Sequence, residues 1–356
     1  MSNDIPSRYK STGETFKGGM GEILICEDVQ LERKVAIKFI QDVKDQRRLF
    51  DEINALQNIR SKHVVQIFDA FLSESNRRVG IVQEYVSGDD LESFSGKQNL
   101  SLEQYLKILY QIASGLSDIH SQGLIHRDIK PNNMKFDESN IIKIFDFGLA
   151  RFSSKDDSTL GFTGTLGFAA PELFRSGLVS FTSAVDSYAF GVMAWYLSRT
   201  PLSQAFLKAP PETDAFPSFS SLSLGLPSNI VRMLDLTLSS DVESRPSMTE
   251  ARDLIGNHLL FGKHRGLIVT GDSKYVLEKL NQSVTLQAKA VGEIRIKYDG
   301  LDFVVDSTTG SVYINNVKAQ IHQSLPKGCV ITLGDVSLGG ARQFITFDIS
   351  NPEVVL

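Results

Sequence analysis

Cysteine is nearly absent from this 356-residue chain: it has two, Cys26 and Cys329. They lie far apart, with no CxxC pair and no Cys/His cluster beside either, which excludes a disulfide framework and a zinc ribbon and points to a reducing compartment. Long apolar runs are missing too. The most apolar extended stretch, residues 188–197, is about half the roughly 20 residues a membrane-spanning helix needs, so it reads as a buried helix. The opening MSNDIPSRYKSTGE lacks the apolar core of a signal peptide, and the expectation is a cytoplasmic protein. A strong excess of either charge is also missing: the net charge of −5 argues against a nucleic-acid or anionic-membrane partner. What remains is a soluble composition, 42% hydrophobic and 22% charged, long enough for two or three folding units.

Periodicity divides the chain in three. Residues 8–86 alternate like strands (22–27, 34–40, 64–71, 79–86), interrupted by one helical pattern over 46–58 with Phe50, Ile53 and Leu56 at spacings of three. After Gly88 the period lengthens. Ser101 and Gln104 form a capping-box pattern, and Leu102, Leu106, Leu109, Ala113, Leu116 and Ile119 then mark a long amphipathic helix. Further helical patterns cover 183–197, 229–238 and 249–259. Around GKHRG at 262–266 the helical signal ends, and short strands separated by turns at Gly271-Asp272, Asp299-Gly300 and Thr309-Gly310 follow. The expected organisation is a catalytic domain over 8–261 and a small all-β domain over 265–356.

Chemistry concentrates in the middle, where His126-Arg127-Asp128-Ile129-Lys130-Pro131-Asn132-Asn133 is followed by Asp146-Phe147-Gly148. Phosphoryl transfer asks for a carboxylate near the attacking hydroxyl and hard oxygen ligands for magnesium, and this segment supplies both. Upstream, a glycine cluster at Gly18, Gly19 and Gly21 lets backbone close over phosphates without Cβ clashes.

These motifs resemble the eukaryotic-type serine/threonine protein kinase family, in its bacterial signalling form, over roughly residues 8–260. The resemblance implies an α+β, two-lobed kinase fold with a small β-rich lobe and a large helical lobe, and it implies ATP and Mg2+. Asp128 would accept or orient the substrate hydroxyl proton, Lys130 would sit against the transferring phosphate, and Asn133 and Asp146 would hold magnesium. His126 would be a packed structural histidine beneath Phe147. In Val35-Ala36-Ile37-Lys38, Lys38 would pair with Glu52 and face the α- and β-phosphates. Ile23 and Ala36 would roof the adenine. In Gln83-Glu84-Tyr85-Val86 the backbone of Glu84 and Val86 would meet the adenine edge, with Gln83 in the gatekeeper position and Asp90 reaching the ribose.

Two positions depart from the family pattern. Phe16 replaces the first glycine of GxGxxG, and Lys135 stands where an apolar residue usually floors the adenine. Gly164-Thr165 ahead of Ala170-Pro171-Glu172, together with Lys130, follows the serine/threonine rather than the tyrosine pattern, with Thr165 contacting Asp128 or Lys130. Ser158, Thr159 and Thr163 are expected in a mobile part of the activation segment as phosphosites that could pair with Arg127. Asp186 would support the catalytic loop, and Arg245 would partner Glu172. Residues 306–316 and 325–334 resemble the second half of a forkhead-associated domain, a β-sandwich that binds phosphothreonine, although a clear Gly-Arg and Ser-Arg-x-His are missing from the first half. The partners implied are therefore protein substrates and a phosphothreonine protein. Two other readings stand beside the protein kinase: a pseudokinase scaffold working through its β domain, and a small-molecule phosphotransferase.

Overall fold

The computed structural model describes residues 5–18, 21–40, 46–73, 78–95, 100–146, 151–152, 158–160, 167–174, 178–180, 182–288, 291–350 and 352. The chain divides into two compact units, Met1–Ile255 and Gly256–Val355.

The first unit opens with five strands, β1 (Tyr9–Gly18), β2 (Gly21–Asp28), β3 (Arg33–Ile40), β4 (Ile67–Ser73) and β5 (Arg78–Glu84), and helix α1 (Gln46–Gln57) lies between β3 and β4. They form one antiparallel sheet in the order β1-β2-β3-β5-β4. Period-two alternation decides what each face carries. Val35, Ile37 and Phe39 of β3 enter a buried cluster with Tyr9, Cys26 and Val82, so Ala36 and Lys38 face the opposite way. Asp28 anchors the β2–β3 turn. Its buried carboxylate accepts from Arg8 Nε and Nη2 at 2.8 and 2.7 Å and from the amides of Gln30 and Leu31.

A helical region follows, with α2 (Leu91–Ser95), α3 (Leu102–Ser121), the short strands β6 (Leu124–Ile125), β7 (Met134–Phe136), β8 (Ile142–Ile144), β9 (Arg151–Phe152), β10 (Ser158–Leu160) and β11 (Leu178–Ser180), then α4 (Ala184–Leu197), α5 (Gln204–Leu207), α6 (Ser228–Thr237) and α7 (Met248–Leu260). The capping box is present: Gln104 N donates to Ser101 Oγ at 3.2 Å while Ser101 N donates to Gln104 Oε1 at 3.0 Å. Helix α4 is apolar on all sides and buried along nearly its whole length, so it forms the axis of the region. The Tyr105 hydroxyl of α3 donates to the Ala194 carbonyl of α4 at 2.9 Å. Among the described residues no helix is long and apolar enough to cross a membrane.

The second unit is all-β: β12 (Arg265–Thr270), β13 (Ser273–Leu277), β14 (Ser283–Ala288), β15 (Gly292–Tyr298), β16 (Phe303–Gly310), β17 (Val312–Ile314), β18 (Val317–Lys318), β19 (Gly328–Leu333) and β20 (Gln343–Ser350). A six-stranded sheet, β13-β12-β20-β19-β17-β18, and a three-stranded sheet, β14-β15-β16, feed one buried cluster. In it Tyr298 stacks on Phe303 at 4.6 Å and Phe303 meets Phe347 edge-on at 5.5 Å. Turns with positive φ occur at Gly271 and Gly300. β16 runs through Thr309 to Gly310, so the expected turn there is the very end of a strand.

Candidate active site

The loop between β6 and β7 hangs from a single carboxylate. Asp186, in the first turn of α4, is fully buried; its Oδ2 accepts the amide of His126 and its Oδ1 the amide of Arg127, both at 2.8 Å. His120 Nε2 lies 2.8 Å from the same Oδ2. Burial alone would push this carboxyl up, but the His120 hydrogen bond and charge, the neighbouring His126 and the loop amide hold it below the ordinary carboxylate value. These bonds pin Arg127 in the left-handed region, at φ 68°, which a non-glycine residue adopts only when its surroundings hold it there. His126 is fully buried, with Nε2 3.0 Å from the Phe145 carbonyl and Nδ1 3.4 Å from the Asp128 amide. Both ring nitrogens are thereby engaged within the loop, which makes this histidine a spacer. Phe147, under which it was expected to pack, lies outside the described residues.

The turn so fixed presents three side chains to one point. Asp128 is 4% exposed. Its Oδ2 meets Lys130 Nζ at 2.7 Å and Asn133 Nδ2 at 2.9 Å, and Asn133 Nδ2 also reaches the Asp128 carbonyl at 2.7 Å. With its amide nitrogen committed, Asn133 keeps Oδ1 as an acceptor. Asp146, at φ 73°, follows β8, and its Oδ1 pairs with Lys38 Nζ of β3. Its Oδ2 stays available among the described residues. One amide oxygen and one carboxylate oxygen suit magnesium, which takes few protein ligands and completes its octahedron with phosphate and water. No group of three or more His, Cys, Asp or Glu among the described residues could hold a metal by itself. Glu52 lies on α1, and its side chain is outside the described set.

Beside these groups opens a cleft enclosing about 650 Å³ including its mouth. Its upper wall is two rows of cross-strand neighbours: Phe16–Ile23–Lys38–Ile81 and Ile25–Ala36–Gln83. Ile23 and Ala36 line it, together with Phe16, Gln83, Glu84, Tyr85 and Val86. Lys135 and Phe145 close it, with Lys135 Nζ 6.0 Å from the centre of the Phe145 ring. Gly18 and Gly21 are paired at the end of the β1–β2 ladder, and Gly19 lies outside the described residues. A model of the protein kinase domain matches residues 9–254. The chain belongs to the protein kinase family.

This kinase chain is 28% identical over 265 residues to the probable serine/threonine-protein kinase pknA2 of Bifidobacterium longum, covering 68% of this chain and 34% of that protein. Mitogen-activated protein kinase 16 of Arabidopsis thaliana is 34% identical over 208 residues, 55% of this chain and 37% of the relative. Mitogen-activated protein kinase 12 of Danio rerio is 31% identical over 208 residues, 56% of each. The chain thus spans between about a third and just over half of the length of these relatives.

Elsewhere in the kinase unit the expected scaffold pair is present: Arg245 Nη1 and Nη2 meet Glu172 Oε1 and Oε2 at 2.7 and 2.8 Å, with the guanidinium over the Tyr188 ring. The activation segment requires a correction. Ser158 and Thr159, expected in a mobile loop, lie in β10, which pairs antiparallel with β11 through Ser158↔Ser180, Thr159↔Val179 and Leu160↔Leu178. Backbone pairing with a strand twenty residues ahead supplies the order that the polar local composition did not announce. Thr163 and Thr165 lie outside the described residues. Asp90 has a structural task as well: its Oδ1 accepts the Ser93 amide at 2.7 Å and so caps α2. The Glu84 carboxylate bonds Lys143 Nζ at 2.9 Å and the Gln66 amide at 3.1 Å, which fixes the end of β5 beside the cleft.

Sequence reasoning overlooked the cleft residues Ile25, Val65 and Phe145, gave Asn132 no role there, and missed the tight passage at Gly88. A Cβ built on Gly88 falls 2.0 Å from the Phe136 carbonyl oxygen. The same chain crossing is held by the Phe136 amide on the Asp89 carbonyl at 3.1 Å and by a bridge between Asp90 and Lys135. An isolated glycine after a strand was the available signal, read only as the point where the periodicity changes.

Proposed function

We propose that this chain is an ATP-dependent serine/threonine protein kinase in which Asp128 is the catalytic carboxylate. The observation that carries the reading is the convergence of Lys130 and Asn133 on Asp128, with Asp146 and Lys38 paired at the neighbouring cleft. The substrate hydroxyl gives its proton to Asp128 as its oxygen bonds the γ-phosphorus, and the bond from that phosphorus to the β-phosphate oxygen breaks, leaving ADP with the electron pair. Lys130 offsets the negative charge that gathers there. Lys38 holds phosphate oxygens, and Gly18, Gly19 and Gly21 cover them with backbone. Mg2+, held by Asn133 and Asp146, would supply charge neutralisation across the phosphates. Ile23 and Ala36 cover the base, and the backbone of Glu84 and Val86 meets its edge. Because the Asp90 carboxylate already caps α2, its ribose contact would fall to the other oxygen. Glu52 is the proposed partner of Lys38 on nucleotide binding, and Thr163, Thr159 and Ser158 are proposed autophosphorylation sites.

The supporting domain assignment is 8–261 for catalysis and 265–356 for a forkhead-associated-like β-sandwich. The two antiparallel sheets sharing one core support the latter. Loss of the usual phosphate-holding residues favours a docking or dimerisation surface over a phosphothreonine site, and peptide arrays with and without phosphate distinguish the two.

The test is phosphate transfer from labelled ATP to the chain itself and to generic protein substrates, by the wild type and by Asp128→Asn. Removing a general base lowers transfer by about 10²–10⁴-fold. Equal labelling by the two proteins, both shown folded by circular dichroism, would refute the assignment.

A further inference from the structure

The two sheets of the β domain differ in what they turn away from their shared core. On β14-β15-β16 the outward residues pair across the strands as Thr285–Arg295–Ser307 and Gln287–Glu293–Thr309. That face is polar, the ordinary outcome for an antiparallel sheet with one side in water. In the larger sheet the core takes Ile268, Leu277, Ile331, Ile345 and Phe347, and period-two alternation turns the residues between them outward. Here the outward side chains are mainly apolar: Leu267, Val269, Val276, Tyr313, Val330 and Phe344, of which Val269, Val330 and Phe344 are 40, 41 and 56% exposed. The Arg342 guanidinium joins them, 5.3 Å from the centre of the Tyr313 ring and 5.8 Å from that of Phe344. An apolar face carrying aromatic and arginine side chains has the composition of a protein interface.

Charge points to the occupant. Lys274 ends the cross-strand row Lys274–Val269–Thr346–Val330, and Asp348 lies in the next row, Val276–Leu267–Asp348. Both are exposed, and neither forms an ion pair among the described residues. Strands stand about 4.8 Å apart and rise about 3.3 Å per residue. On that lattice, consider a two-fold axis lying in the plane of the face and running diagonally from between Leu267 and Val269 toward Phe344. It sets Lys274 of one copy over Asp348 of a second, and Asp348 over Lys274. The same axis brings Phe344 against its own counterpart and Arg342 over the second copy's Tyr313. The face is thus complementary to itself. Resting on the reading of the C-terminal domain as a docking or dimerisation module, we propose that this face binds a second copy of the chain. The face measures about 20 by 20 Å on the same lattice, so two copies together bury on the order of 800–1,000 Å². That is the low end for a specific pair, and the dimer is a weak one with a micromolar Kd.

The experiment is sedimentation equilibrium of the full chain from about 1 to about 300 µM, a range that brackets the expected Kd of about 10–100 µM. The wild-type mass rises from monomer toward dimer. Phe344→Ser removes the ring at the axis and weakens association by about tenfold or more. Lys274→Glu and Asp348→Lys each set like charges against one another at both symmetric contacts, and each weakens it by about fivefold or more. Mixed in equal amounts, these two charge variants associate within about threefold of the wild type, because every contact in a mixed pair again joins opposite charges. A wild type that stays monomeric throughout overturns the proposal. Dimerisation that none of the folded variants alters overturns this face as the contact. Weakening in each charge variant without recovery in the mixture overturns the two-fold pairing argued here. Failure of the underlying reading is seen separately: phosphothreonine-dependent binding on the peptide arrays overturns it whatever the sedimentation gives.

Discussion

Replacing Gly88 by alanine tests how the cleft is built. The linker leaving β5 crosses the β7 backbone so closely that the new Cβ would lie 2.0 Å from the Phe136 carbonyl oxygen and 2.9 Å from its carbon, against ordinary contact beginning at 3.4 Å. The obstacle is backbone on both sides, so no side chain can swing away. One strand of the crossing must move by more than an ångström. That movement strains the Phe136 amide bond to Asp89, 3.1 Å long, and the Asp90–Lys135 bridge. Two weakened backbone interactions cost about 2–4 kcal/mol. The shift also displaces Val86 on the cleft wall; under the proposed role of its backbone at the base edge, loss of one good contact there corresponds to about tenfold in Kd. Urea denaturation read by fluorescence, paired with calorimetric ATP titration, gives both numbers. Gly340→Ala is the control, since nothing lies within 4 Å of a Cβ there. If Gly88→Ala matches that control in midpoint and binds ATP within twofold of the wild type, the crossing does not set the cleft and the reasoning fails.

Asp186→Asn places an amide NH2 against a loop amide that now finds a carboxylate oxygen, and stability at pH 7 should fall by about 2–4 kcal/mol with loss of phosphate transfer. Because the folded carboxyl is held below its ordinary value of 3.8, its contribution is present above that pH and disappears as pH falls through the lower folded value. Urea midpoints between pH 7 and 3 should therefore show wild type and variant converging only below about pH 4; a gap that does not change with pH would refute this. Arg245→Met strands the Glu172 carboxylate beside a guanidinium site with no exposure of its own, at a cost of about 3–5 kcal/mol. The double variant Arg245→Met/Glu172→Gln should recover part of that in chemical denaturation, and no recovery would mean that packing on Tyr188 accounts for the loss.

Most of the candidate site's geometry was legible because its residues are close in sequence: 126–133 fold into one turn, and Asp146 follows a short hairpin. The capping box at Ser101 and the alternation of β3 were equally plain, since both depend on neighbours within a few positions. What escaped depends on partners far along the chain. Ser158 and Thr159 read as loop because three residues carry too little pattern to announce a strand, and their order comes from pairing with residues 178–180. Gly88 was legible as a glycine but not as a crossing, because the carbonyl it avoids is 48 positions away.

The two rows of cross-strand neighbours on the cleft wall have a consequence for how this site can fail. Ala36 and Lys38 are two apart on one strand, so a slip of β3 by one residue would turn both to the far face at once. Under the roles proposed above, the base-covering surface of Ala36 and the phosphate contact of Lys38 would then be lost in a single event. Misregistered copies of this protein would be wholly inactive rather than altered in preference, so a sample's mean activity counts correctly paired sheets and carries no signature of partly faulty ones.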